Sequence, residues 1–159
     1  MSAWASVRKQ VETELAELRR LLGTHQALLG RCRDGAPTVD EVPALAAILH
    51  SFYSGVEKLF KRLAVEVDGE APRGEFWHSE LLDRMSSRAP RRPAVLSEEL
   101  RMELEEYMDF RHLFRHAYTF QLRWPKMAPL VLRLEAVMAR LEGEAELFLH
   151  TLETGDGPG

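Results

Sequence analysis

Apolar residues recur along this chain at three- and four-residue steps, the period of a helix with one buried face. Val7, Val11, Leu15, Leu18, Leu22 and Leu29 follow that step, with one seven-residue gap, and predict a long first helix. The run RCRDGAPTVDEVP ends it. Gly35 and Pro37 interrupt a helix there, and Asp40 is a plausible cap for the next one. Leu45, Ile48, Leu49, Phe52, Val56, Leu59, Phe60 and Leu63 form the stripe of a second helix, from about Val42 to Val67. The run VDGEAPRGE reads as a loop. Trp77, Leu81, Leu82 and Met85 then mark a short helix, and the Pro/Arg-rich SSRAPRRPAV is a linker that cannot be helical throughout.

Ser97 is placed to cap the next long helix, with Glu98, Glu99 and Glu103 in its first turns, where carboxylates favour a helix N-terminus. Leu100, Leu104, Tyr107, Phe114 and Tyr118 carry that helix to about Leu122, and Pro125 ends or kinks it. A last helix from about Met127 to Leu152 carries Leu130, Leu134, Val137, Leu141, Phe148 and Leu152. No strand pattern competes. The expected fold is all-α: an up-and-down bundle of four long helices plus one short one, in a single domain over residues 1–152. The tail, residues 153–159, is expected to be disordered.

With 159 residues and 45% hydrophobic side chains, the chain is long enough for one core of its own. No apolar run approaches the roughly 18 to 20 residues that a membrane span needs. The first residues, MSAWASVRKQ, lack an apolar signal core, so a cytoplasmic protein with no membrane association is expected. The single cysteine, Cys32, has no disulfide partner in the chain and no CxxC spacing for zinc.

The formal net charge of −4 argues against a general nucleic-acid binder. Its distribution changes that picture. From Arg84 to Arg133 there are ten Lys/Arg and six Asp/Glu, a local +4, which leaves −8 for the rest. A basic strip on an acidic body suits salt-sensitive contact with a phosphate backbone, although solvated helix faces give the same pattern.

The chemistry is concentrated in YMDFRHLFRHAYTFQLRW, Tyr107 to Trp124, where Arg111, His116 and Tyr118 form the pattern R-x4-H-x-Y. On a regular helix Arg111, Arg115 and Tyr118 share a face, and His112, His116 and Thr119 share the adjoining one. Arg111 and His116 are then about 140° apart, so one straight helix does not join them well. A distortion before Pro125, or a second copy facing the first across a twofold axis, brings such groups to one cleft; a homodimer is therefore expected. An imidazole can move a proton near neutral pH, and a guanidinium can hold phosphate oxygens in a fork. RNA supplies its own 2'-hydroxyl nucleophile, so His116 and Arg111 could cleave it with no metal and no cofactor. Arg115 and His112 are candidate RNA contacts. Tyr53 and Glu57, with Lys58, either line the cleft or fringe the core. Two further readings stay open: His112 and His116 are also spaced as a zinc pair, with His50, His78 or His150 as a distant third ligand, and Trp77 and His78 can simply anchor the short helix.

These segments together resemble a known family. SFYSGVEKLFKRLA, GEFWHSELLDRMS, RPAVLS and LEEYMDFRHLFRHAYTFQLRWPKM are similar, in order, to the HepT-like ribonuclease toxins of the HEPN superfamily, from about Leu45 to Leu152. The resemblance implies a dimeric, metal-independent endoribonuclease, the toxin of a type II toxin–antitoxin pair, with Arg111 and His116 at the catalytic positions. It implies an antitoxin partner, an MNT-type nucleotidyltransferase, that transfers AMP to Tyr118. The alternative it leaves is a non-catalytic helical subunit that binds a nucleotidyltransferase or presents substrate to it.

Overall fold

The apolar period becomes six α-helices in the computed structural model, which describes residues 3–118 and 121–155. They are α1 (Ala5–Thr24), α2 (Gln26–Arg31), α3 (Val42–Leu63), α4 (Trp77–Met85), α5 (Glu98–His116) and α6 (Trp124–Thr154). A π-helical turn, Ala64–Asp68, extends α3 and closes at Gly69, whose φ of 96° is left-handed. No strand occurs among the described residues; Ala89 and Arg92 make an isolated bridge within the linker. The all-α bundle read from the sequence is the observed one. No described helix is long and apolar enough to cross a membrane.

Helix α3 is the centre. It packs against α1, α4, α5 and α6, and so it is buried on more than one face. Leu45, Leu49, Phe52, Tyr53, Val56 and Phe60 are fully enclosed. Each large apolar side chain hidden this way stabilises the fold by about 1.5–3 kcal/mol. Helix α1 comes closest at Gly55, where a methyl group would stand 2.6 Å from Leu18 Cδ2. Helix α6 is fastened to α1 by charge: Arg8 donates to Glu146 and Glu153, and Arg19 to Glu142. Tyr107 of α5 donates to the Leu130 carbonyl of α6 at 2.6 Å, inside the core.

The element boundaries depart from the pattern in four places. The first helix is two helices, broken at His25. The break falls in the seven-residue gap between Leu22 and Leu29, where no buried side chain holds the chain to the core. Asp40 does not cap α3. The N-cap is Glu41, without a side-chain cap bond, because its carboxylate instead accepts the Thr38 N–H and pairs with Arg31. Helix α5 stops at His116, well short of Leu122: Ala117 is extended, and the Tyr118 N–H donates to Gln121 Oε1 instead of to the helix. Pro125 accordingly lies in the first turn of α6, where a missing N–H costs nothing. Helix α6 runs on to Thr154 and ends at a left-handed Gly155; the rest of the expected tail, and Thr119, lie outside the described residues. Ser97 does cap α5, its hydroxyl accepting the Leu100 N–H, while Glu144 accepts both the Ser97 hydroxyl and N–H.

Candidate functional site

Three helices converge on one polar spot. Helix α3 contributes Ser54, Glu57, Lys58 and Lys61, α4 contributes Trp77 and His78, and α5 contributes Asp109, Arg111, His112 and Arg115. At the centre Arg111 Nη1 pairs with Glu57 Oε1 at 2.5 Å, and His78 Nδ1 lies 2.6 Å from Glu57 Oε2. Arg111 Nη1 also reaches Ser54 Oγ at 3.4 Å. One carboxylate thus holds a guanidinium with one oxygen and an imidazole with the other. The Glu57 and Arg111 side chains are 5% and 10% exposed, that of His78 32%. A buried ion pair stabilises a fold less than well-packed apolar residues would. Its presence beside open space therefore points to chemistry.

The open space consists of two clefts that share this cluster. The first, about 470 Å³, is bounded by Glu75, Phe76 and Ser79 on one side and Met108, Asp109, His112 and Arg115 on the other. The second, about 440 Å³, carries Lys58, Lys61, Arg111 and Arg115 against a single carboxylate, Glu57. Four cations beside one anion give this cleft an excess of positive charge. Trp77 lies in its wall, with the Lys61 ammonium 3.8 Å from its ring centroid and the His78 ring stacked on it at 3.6 Å. The positive field is felt outside the clefts. Burial, and then Arg111 and Arg115, hold His50 below its ordinary value. Asp109 is shifted up by burial and by Glu105, with His112 opposing the shift.

The candidate residues fall into separate groups. Arg111, Arg115, His112 and Glu57 line the clefts. Tyr53 does not. Its side chain is fully buried under Arg111, whose guanidinium carbon is 5.7 Å from the ring centroid, and its hydroxyl has no hydrogen-bond partner among the described residues. Burial and Glu57 push that phenol up, which keeps it neutral. Of the two readings of Tyr53, cleft lining and core, the structure has the core position. His116 is exposed on the last turn of α5 and bounds neither cleft; its ring meets His112 edge-on at 4.8 Å. Tyr118, 71% exposed, lies beyond the helix end, so the helical spacing that joins it to Arg111 does not apply. Among the described residues no three His, Cys, Asp or Glu side chains gather as a metal site, so the His112–His116 pair has no third ligand there.

The contact of His78 with Glu57 and the place of Lys61 in the cleft wall are not evident from the spacing of either residue alone. The signal was present but weak: Ser54, Glu57, Lys58 and Lys61 follow helical spacing, and so form a polar edge on an otherwise apolar helix. The pairing of His78 with Glu57 needed the packing of α4 on α3.

No curated protein and no solved structure matches this chain. A family model, described as HepT-like protein, matches residues 44–152, well over half of the chain and all of α4, α5 and the cleft. The chain belongs to the HepT-like protein family.

Proposed function

We propose that this protein is the toxin of a type II toxin–antitoxin pair, a metal-independent endoribonuclease that works at a cleft between two copies of the chain. The observation that carries the reading is Arg111: a nearly buried guanidinium, fixed by Glu57 and opening on a cleft with three more cations. Such a group is oriented before substrate arrives, so it can stabilise charge on a pentacoordinate phosphate at little reorganisation cost. Arg115, Lys58 and Lys61 would hold neighbouring phosphates, and His112 would contact the RNA at the rim. His116 would exchange a proton with the reacting oxygens. It bounds neither cleft of a single chain, so a second copy, paired through the ends of α5, is the natural source of a complete site.

The switch would be Tyr118. Its side chain is open to solvent two residues past His116, within reach of a modifying enzyme. AMP transferred there by an MNT-type nucleotidyltransferase antitoxin adds bulk and a negative phosphate beside the site, which repels RNA. The same exposure favours a second reading, a non-catalytic subunit that only presents itself to such a transferase.

The test separates the two. Purified protein should cleave RNA in EDTA, and His116→Ala should lose both cleavage and growth inhibition while staying folded. Co-expression with the transferase should add AMP mass to the wild type and none to Tyr118→Phe. A wild-type dimer that leaves varied RNAs intact yet binds the transferase establishes the second reading.

A further inference from the structure

We infer that His78 is a proton-transfer residue of the same site, the base that takes the 2'-hydroxyl proton. The inference rests on the nuclease reading. His78 sits on α4, outside the R-x4-H pattern, and yet it is the histidine in direct contact with the Glu57–Arg111 pair.

The geometry sets its proton. Glu57 Oε2, 2.6 Å from Nδ1, is a carboxylate oxygen and can only accept, so Nδ1 carries the hydrogen and donates it. The 3.3 Å approach of Arg111 Nη2 to that same nitrogen is then a contact of two donors, not a hydrogen bond. A neutral ring with hydrogen on Nδ1 has its lone pair on Nε2, the nitrogen not turned to Glu57. His78 bounds both clefts and keeps a third of its side-chain surface exposed. Trp77 stacked at 3.6 Å fixes the ring plane. A carboxylate on Nδ1 and an oriented imidazole that bounds both clefts form the arrangement of a general base. Arg111, held on the other oxygen of the same carboxylate, faces the charge that the reaction develops.

The step balances without another reactant. Nε2 of His78 takes the proton from the 2'-hydroxyl, and the 2'-oxygen forms a bond to phosphorus. The bond from phosphorus to the 5'-oxygen breaks, and that oxygen takes a proton from His116 as imidazolium. The products are a 2',3'-cyclic phosphate and a free 5'-hydroxyl. His78 leaves as imidazolium and His116 as imidazole, and solvent restores both. Glu57 touches no substrate in this scheme; it is a positioning residue that holds the tautomer.

His78→Ala in the full chain tests this by single-turnover cleavage of an RNA oligonucleotide. The rate should fall about 10²- to 10⁴-fold, the usual weight of a general base. Added imidazole should restore part of it. Binding of the same oligonucleotide with a 2'-deoxy residue at the cleavage site should not change. His78→Gln, which fills the space and keeps a polar contact to Glu57, should show the same loss if the alanine variant folds poorly. Wild-type cleavage retained in both variants overturns the role of His78 and leaves the nuclease reading standing. So does a loss that imidazole does not restore and that is matched by lost RNA binding, since His78 then only binds or packs. A wild-type protein that cleaves no RNA removes both.

Discussion

Two buried arginines in this molecule are held in different ways. Arg92, in the linker before α5, is 1% exposed and fully bonded: Nε and Nη2 donate to the two oxygens of Asp68, Nη1 to the Ser87 and Pro93 carbonyls, and Nη2 also to the Arg84 carbonyl. All five N–H groups are used. Arg111 is nearly as buried, yet it has one short partner, Glu57, with longer approaches to Ser54 and His78, and it opens on two clefts. The saturated guanidinium ties the π-helical turn after α3 to the end of α4 and the linker. The undersaturated one borders the open space of both clefts. A buried charge thus identifies a site only when its hydrogen bonds are counted and the space beside it is considered.

Substitutions can break this contrast. Arg92→Ala leaves Asp68 and three carbonyls without their donor, and it should cost about 3–5 kcal/mol in urea denaturation, the weight of breaking a buried pair. Cleavage per folded molecule should not change. A cleavage defect without a stability loss would make Arg92 part of the site and erase the distinction. Arg111→Ala should cost less, about 1–3 kcal/mol, because the space it vacates opens Glu57 to solvent from the adjoining cleft and the His78 Nδ1–H still donates to it. Stability losses of equal size would mean that Arg111, too, is chiefly structural.

The smallest effect is one of pH. Burial first, and then the field of Arg111 and Arg115, lowers the folded value of His50. The unfolded chain therefore binds a proton at His50 more readily, so stability is lost as pH falls below about 6.5, the ordinary histidine value. His50→Phe should flatten the fall of the melting temperature over that range, and Arg115→Gln should flatten it in part. Arg92 has no place among the causes of the His50 shift, so Arg92→Lys should leave the slope as it is. An unchanged slope in His50→Phe would remove His50, and with it the field of Arg111 upon it, from the explanation.

Much of the fold was legible because burial dictates period. Helix α4 has the bounds read from Trp77 and Met85, and Ser97 caps α5 as its hydroxyl and the following glutamates imply. The end of α5 was not legible. Leu122 and Trp124 continue an apolar rhythm that the chain uses instead to turn into α6, with Gln121 holding the Tyr118 N–H. In the site, the shared face of Arg111 and Arg115 followed from spacing. Its partners did not: Glu57 precedes it by 54 residues and His78 by 33, and only the packing of α3, α4 and α5 brings the three together. Arg92 carried no signal in sequence beyond its neighbours in a Pro/Arg-rich run, since carbonyl acceptors belong to every residue type.

The most direct measurement of the role of Arg111 is chemical rescue. Arg111→Ala opens a space the size of the lost side chain between Glu57 and the clefts. Cleavage of a defined RNA, in EDTA, should fall about 10²- to 10³-fold in this variant, and low, non-denaturing guanidinium should restore part of the rate with a saturating dependence. Arg111→Ala protein that cleaves at the wild-type rate with no guanidinium present would contradict the assignment outright.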